Sequence, residues 1–217
     1  MKTLVVGSHG FIGSYLIKEL ADFECCDLKI GVDILDGIDE EYESIVFLAC
    51  DQGDTREAFE YNVRMYEVLN NYREDHPDTY LIYISSAAIY NINSWYAVSK
   101  QVGEAYADRF ERRAVLRLSN VYGHGDGHGA PDRFLRGENV INGYGAQIRD
   151  LIPVERVVTR ILKCLTYRVT GVYNVSSGIG TSVNRMFSIF GSGKPSYNKR
   201  ADIGVKYSVL EPGGLND

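Results

Sequence analysis

The chain is poor in several residue types: its 217 residues include only four cysteines, five prolines, three methionines and one tryptophan. Cys25 and Cys26 are adjacent, which disfavours a bridge between them, and Cys50 and Cys164 sit in apolar runs that read as core. None has the spacing of a disulfide framework or a zinc site, which points to a reducing, cytoplasmic setting. No apolar run approaches the roughly 18 residues of a membrane span. No signal-peptide pattern stands ahead of the first strand, so none is expected. Lys and Arg total 23 against 29 Asp and Glu, a net charge of −6, which argues against the basic face a nucleic acid needs. Repeats, low-complexity stretches and linkers are also missing. What remains is a globular composition, 45% apolar and 24% charged, long enough for one core with a small lobe.

The most informative stretch is the first. Met1 to Gly13 reads as a short apolar strand, then glycines at 7, 10 and 13, then an amphipathic run. Glycines at that spacing allow a tight strand-to-helix turn and a close backbone approach to a pyrophosphate, which sits on free N–H groups at the helix start, here those around Phe11 and Ile12. Beyond it, strand and helix signals alternate, the mark of a parallel sheet covered on both faces. Strands are expected at Leu4–Val6, Leu28–Asp33, Ile45–Ala49, Tyr80–Ser85, Ala114–Leu118 and Val172–Val175. Helices are expected from Phe11 to Leu20, over Asp54–Glu74 and Trp95–Phe110, after Pro153, and over Val183–Phe190, with a further strand near Ile203–Tyr207. Gly123 to Gly145, rich in Gly, His and Asp, shows no period.

Eight segments in order carry a resemblance. They are G-S-H-G-F-I-G (7–13), V-F-L-A-C (46–50), Asn62, I-S-S-A-A-I-Y (84–90), Y-A-V-S-K (96–100), R-L-S-N-V-Y-G (117–123), G-A-Q-I-R-D-L-I-P-V-E (145–155) and G-V-Y-N-V-S-S-G (171–178). From Met1 to about Asp202 the chain resembles the extended short-chain dehydrogenase/reductase family, in its nucleotide-sugar epimerase/dehydratase branch. The resemblance implies an α/β doubly wound parallel sheet (Rossmann fold). Residues 1–123, completed by about 154–176, would bind the dinucleotide, and 124–153 with 177–217 would form a small substrate-binding lobe. It implies NAD, held by Gly7, Gly10, Phe11, Ile12, Gly13, Asp33, Ile34, Leu48, Ala49, Cys50, Ser85, Tyr96, Lys100 and Ser119. It implies a nucleotide-sugar substrate met by Ser86, Asn120 and Arg149, with Lys199 or Arg200 as a second phosphate contact. It also implies a homodimer through helices 54–74 and 95–110.

Sixteen tyrosines are present, and Tyr96 is the one with a chemical assignment. Tyr96 and Lys100 are four residues apart, on one helix face. A phenol titrates near pH 10, and a neighbouring ammonium favours its ionised form. Such a phenol can take a proton from a sugar hydroxyl while hydride leaves the same carbon. By the resemblance Tyr96 is the acid/base, Lys100 tunes it and holds the nicotinamide ribose, and Ser86 orients the substrate.

Two departures from the family pattern stand out. Nine residues separate Ser86 from Tyr96, where relatives carry a longer, proline-containing loop, which suggests a more open cleft. Twelve residues separate Asp33 from Val46, where relatives fit a further strand and helix. Asp33 therefore either ends the second strand and binds the adenosine ribose, which favours NAD over NADP, or belongs with Ile34 to a later segment that meets adenine. No carboxylate pair follows Ser86, which disfavours dehydration and leaves 4-epimerisation. A keto-sugar-nucleotide reductase and a non-catalytic dinucleotide-binding regulator are the alternatives. His124, Asp126 and His128 could supply two imidazoles and a carboxylate, but glycines make that loop flexible, and no metal is expected.

Overall fold

The computed structural model describes residues 2–123, 129–201 and 204–213. The chain runs β1 (Thr3–Val6), α1 (Phe11–Leu16), β2 (Phe23–Cys26), β3 (Ser44–Phe47), α2 (Arg56–Asp75), β4 (Tyr80–Ser86), α3 (Trp95–Ala107) and β5 (Arg113–Leu118). It continues as β6 (Asn120–Tyr122), α4 (Ala130–Leu135), β7 (Val140–Asn142), β8 (Ile148–Pro153), α5 (Val154–Tyr167), β9 (Gly171–Val175), β10 (Gly180–Ser182), α6 (Val183–Phe190), β11 (Ser196–Asn198) and β12 (Tyr207–Ser208). It divides into two compact units, Met1–Arg117 with Val158–Tyr173, and Leu118–Val157 with Asn174–Asp217.

The first unit is built on a six-stranded sheet in the order β2-β1-β3-β4-β5-β9. β1 pairs in parallel with both β2 and β3, and β3 with β4. All four residues of β1 and of β3 are buried, as expected of strands covered on both faces. α2 starts where Thr55 Oγ1 accepts from the Ala58 N–H, and buries Ala58, Asn62, Met65, Tyr66, Leu69 and Tyr72. Its exposed positions Arg56, Glu57, Glu60, Arg64, Glu67, Glu74 and Asp75 are charged, and Asn71 is polar. α3 starts at Ser94, whose hydroxyl accepts from the Ala97 N–H. Between these helices and the sheet lies an aromatic cluster, with Tyr66 and Phe47 ring centres 5.8 Å apart and Tyr83 packed on both.

The expected second strand is displaced. It occupies Phe23–Cys26, while Leu28–Ile30 is a 3-10 turn and Asp33 heads another at Ile34–Asp36. Leu28, Ile30 and Val32 are exposed, so alternation of residue type alone misplaced the strand. Helix α1 ends at Leu16, short of Leu20, because the chain must turn back within six residues to begin β2 at Phe23. Cys164 is a buried free thiol, as expected of a core residue, whereas Cys50, expected there too, is only half-buried; Cys26 is buried as well.

In the second unit β8 is central: β6 and β12 pair with it in parallel and β10 antiparallel. Phe134 of α4 meets Phe187 of α6 edge to face at 5.1 Å, beside buried Ile141 and Met186. The aperiodic stretch therefore holds α4 and β7, elements too short for a period to declare itself. His124, Asp126, His128 and Ile203 lie outside the described residues.

Candidate active site

In the first unit the sheet order reverses at β1, whose neighbours are β2 and β3, and a ligand of an open parallel sheet sits outside the carboxyl ends of the strands at such a point. The glycine turn is there. Gly7 has φ +86°, and a Cβ on it would stand 2.7 Å from the Ala49 amide nitrogen. A Cβ on Gly13 would stand 2.2 Å from the Gly7 carbonyl oxygen. These two glycines are demanded by the chain itself. Gly10 is different: it has ordinary φ, and a Cβ there would meet only Gly7 O, at 3.3 Å. No side chain caps α1, so the first-turn N–H groups of Phe11, Ile12 and Gly13 lack an intrahelical acceptor. A glycine kept clear at the head of an uncapped turn fits the pyrophosphate of a dinucleotide.

Asp27 follows the last residue of β2 and was missed by the sequence reading. Its carboxylate accepts from the His9 N–H in the glycine turn (2.8 Å) and from the Lys29 N–H (2.9 Å). Lys29 Nζ in turn donates to the His9 carbonyl at 2.9 Å. The position of an acidic residue just past the second strand belongs to Asp27. Asp33 accepts from the Leu35 N–H and the Tyr61 hydroxyl, and Ile34 beside it is buried. Of the two readings of Asp33, the one that ends the second strand there is corrected. The missed signal was its spacing of 14 positions from Gly13, shorter than the usual stretch of about 20.

Leu48 and Ala49 both donate their N–H groups to the Val6 carbonyl, which fixes the end of β3 beside the turn. Cys50 Sγ donates to the Asp51 carbonyl at 3.4 Å. Asn62, 1% exposed, accepts from the Asp51 N–H and donates to the Asp51 carbonyl and to Ser99 Oγ. Ser99 Oγ donates to the Tyr96 carbonyl at 2.8 Å. One buried amide thus ties the loop after β3 to the first turn of α3.

Lys100 is 3% exposed, with Nζ donating to the Ile84 carbonyl of β4 at 2.9 Å. The ammonium lies 5.9 Å from the Tyr96 ring centre and 5.4 Å from that of Tyr83. Burial works against its charge, but the Cys50 sulfur and the Tyr66 and Tyr96 oxygens outweigh that and raise its pKa. Lys100 is therefore charged at neutral pH. Tyr96, one turn earlier, is half-buried. Ser86 ends β4, two residues past Ile84, and its hydroxyl accepts from the Ala88 N–H at 3.2 Å. The hydrogen bond from Lys100 thus brings α3 against the end of the strand that carries Ser85 and Ser86.

The second unit holds a cavity of about 160 Å³. Asn120, Arg149, Arg133 and Gln147 line it, over a floor that includes Phe134 and Met186. Asn120 Nδ2 donates to the Asp150 carbonyl, and burial lowers the pKa of the Arg149 guanidinium. Asp150 is fully buried and accepts from Ser177 N and Oγ, Gly178 N and Leu210 N, so it is a structural anchor. Ser119 is buried, its N–H bonded to the Val175 carbonyl. Lys199 and Arg200 are exposed and do not line this cavity; Lys199 lies over the Tyr144 ring at 5.6 Å. Among the described residues, no cluster of His, Cys, Asp and Glu is placed to hold a metal ion, and no helix is long and apolar enough to cross a membrane.

With a glycine turn at the head of a parallel sheet and a Tyr/Lys pair beside a strand-end serine, comparison with known proteins is informative. The model of the NAD dependent epimerase/dehydratase family matches residues 23–176, and the chain belongs to that family. A protein of Methanocaldococcus jannaschii provisionally named UDP-glucose 4-epimerase is 35% identical over 108 residues, a match covering 43% of this chain and about a third (35%) of that protein. The UDP-glucose 4-epimerase of Thermotoga maritima, solved with UDP-glucose, superposes with a TM-score of 0.80 at 23% identity, over 98% of this chain and 90% of that one. The UDP-N-acetylglucosamine 4-epimerase of Methanobrevibacter ruminantium M1 gives 0.84 at 21% identity, over 97% and 89%. A sugar-nucleotide dehydratase and a dTDP-4-dehydrorhamnose reductase share the fold.

Proposed function

We propose that the chain is an NAD-dependent 4-epimerase of a nucleotide-diphosphate sugar. The observation that carries this reading is the buried Lys100 ammonium, held by the Ile84 carbonyl one helical turn from Tyr96. A buried, charged lysine has an electrostatic use, and a phenol on its own helix face is the group it serves. Gly7, Gly10, Gly13 and the N–H groups of Phe11 and Ile12 take the pyrophosphate. Asp27 takes the adenosine ribose, with Asp33 and Ile34 on the adenine side. Leu48, Ala49, Cys50 and Ser85 line the remaining path, and the family resemblance assigns Ser119 as a further cofactor contact. NAD, when bound, would supply reversible hydride acceptance beside one sugar carbon. Tyr96 removes the proton from the hydroxyl on that carbon and gives it back, Lys100 holds the ionised phenol, and Ser86 keeps the oxygen in line. The 3-10 turn after Ser86 contains only Ala87, Ala88, Ile89 and Tyr90, so no carboxylate follows Ser86 to assist loss of water.

The cavity of the second unit supports recognition of the nucleoside diphosphate. Arg149 suits a diphosphate by its fork geometry, Asn120 is a polar contact beside it, and Lys199 or Arg200 serves as an outer phosphate contact. A homodimer through α2 and α3 is part of the same proposal.

The test is direct. The purified protein is analysed for bound NAD by native mass spectrometry and then incubated with UDP-glucose or UDP-N-acetylglucosamine. An epimerase converts either sugar to its C4 epimer with no net change in absorbance at 340 nm. Stoichiometric loss of that absorbance with a keto-sugar nucleotide and NADH would establish a reductase instead, and retention of NAD with no turnover would establish a binding protein.

A further inference from the structure

The short stretch between Ser86 and Tyr96 is held at several points. Ser86 Oγ heads the turn Ala87–Tyr90 by accepting from Ala88 N–H. Gln101 of α3 donates Nε2 to the Ile89 carbonyl at 3.1 Å. Tyr90 has 58% of its surface exposed, yet its hydroxyl accepts from Arg117 Nη1 at 2.7 Å, and the guanidinium carbon stands 5.3 Å from its ring centre. Arg117, on β5, also pairs with Glu104 of α3 fork to fork, Nε to Oε1 at 2.9 Å and Nη2 to Oε2 at 2.7 Å. Glu104 Oε1 accepts in addition from Ser85 Oγ at 2.5 Å.

One guanidinium therefore reaches the chain on both sides of Ser86: through Glu104 it grips residue 85, and directly it grips residue 90. We infer that Arg117, Glu104 and Tyr90 form a brace that fixes Ser86 and the start of the loop to Tyr96 in one position, with Arg117 as the positioning residue. The planar five-donor geometry of arginine is what allows it; an ammonium has the charge but cannot hold two acceptors in a fixed fork while reaching a third. The brace also alters the expected consequence of the short loop. The nine residues between Ser86 and Tyr96 were expected to leave the cleft more open; the brace holds them instead. The catalytic meaning of the brace rests on the epimerase reading above.

Two variants test it. Tyr90→Phe removes one oxygen from an exposed ring, and Arg117→Lys keeps a charge beside Glu104. Both proteins are expected to fold. Hydrogen–deuterium exchange on the whole protein is expected to speed up about tenfold over residues 86–93 in both, the size of losing one charge-assisted hydrogen bond. NAD affinity is expected to stay within about twofold, and kcat for the sugar nucleotide to fall about tenfold with KM little changed, as for a misplaced reacting group. Exchange at the wild-type rate in both variants would overturn the brace, and so would a rise in KM at constant kcat, because the loop would then bind substrate and not position Ser86. If the wild-type protein turns over no sugar nucleotide, the epimerase reading falls, and the exchange measurement alone decides whether the brace exists.

Discussion

The Lys100 ammonium donates to the carbonyl oxygen of Ile84 at 2.9 Å, and this bond joins the helix that carries Tyr96 to the strand that ends in Ser86. It makes one buried side chain responsible for both electrostatics and placement. Lys100→Met is therefore expected to reduce turnover about a thousandfold or more, while Tyr96→Phe is expected to cost a comparable factor yet leave NAD affinity unchanged, in line with the usual range for a lost acid/base. Calorimetric titration with NAD beside a C4-epimerisation assay separates the two. If Tyr96→Phe retains full activity, the phenol has no chemical role.

The three glycines of the first turn differ in what they serve, and substitution by alanine shows it. Gly13→Ala forces a Cβ against the Gly7 carbonyl, so a destabilisation of about 1–3 kcal/mol is expected. For a chain of this length that lowers Tm by roughly 2–4 °C per kcal/mol. Gly10→Ala meets only Gly7 O, at 3.3 Å, and is expected to keep its Tm but to lose NAD affinity if, as proposed, the pyrophosphate sits against that side of the turn. Thermal melting and NAD titration of both variants check the contrast. Equal effects on stability would refute it.

Cys26 and Cys164 supply a pH dependence. Burial pushes each thiol up from its ordinary 9.0 to about 11, with Asp33 adding to the effect at Cys26. The folded protein then holds a proton that the unfolded chain releases, so their contribution is full below about pH 9 and is lost as pH rises towards 11. Lys100, whose pKa is also raised, acts in the same direction at still higher pH. Tm is expected to fall steeply between pH 9 and 11, and to fall less in the double variant Cys26→Ala with Cys164→Ala. Differential scanning calorimetry across that window provides the check.

The proposed dimer can be tested at a position that does not disturb the core. Ala105 of α3 is exposed, and Ala105→Arg adds bulk and charge to the outer surface of that helix. Light scattering is expected to give twice the 24.3 kDa chain mass for the natural protein and a single mass for the variant. The charged outer positions of α2, Arg56, Glu57, Glu60, Arg64 and Glu67, make salt-sensitive association part of the same expectation. A natural protein that is monomeric at micromolar concentration would remove the dimer.

Much of the fold was legible in the sequence. Helix α6 falls where Val183–Phe190 was expected, and β3, β4, β5 and β9 agree with the expected strands to within one or two residues. The displaced second strand has a definite cause. Phe23–Cys26 holds Glu24 and two cysteines and has no apolar run, whereas Leu28–Val32 looks more strand-like but is exposed. Pairing with β1 decides the matter, since only Phe23–Cys26 finds the hydrogen-bonding edge.

By itself the sequence determined everything that depends on near neighbours: the glycine turn, the one-turn separation of Tyr96 and Lys100, and the apolar runs of the central strands. Those are local because a helix repeats every 3.6 residues and a turn closes within four. Tertiary structure alone decided that Asp27, and not Asp33, follows the second strand, that Asn62 fastens Asp51 to Ser99, and that Arg117 reaches Ser85 through Glu104 and Tyr90 directly. Each of these joins residues distant in the chain. Such pairings are set by strand register and by the burial of polar groups that must find partners, and no local period records them.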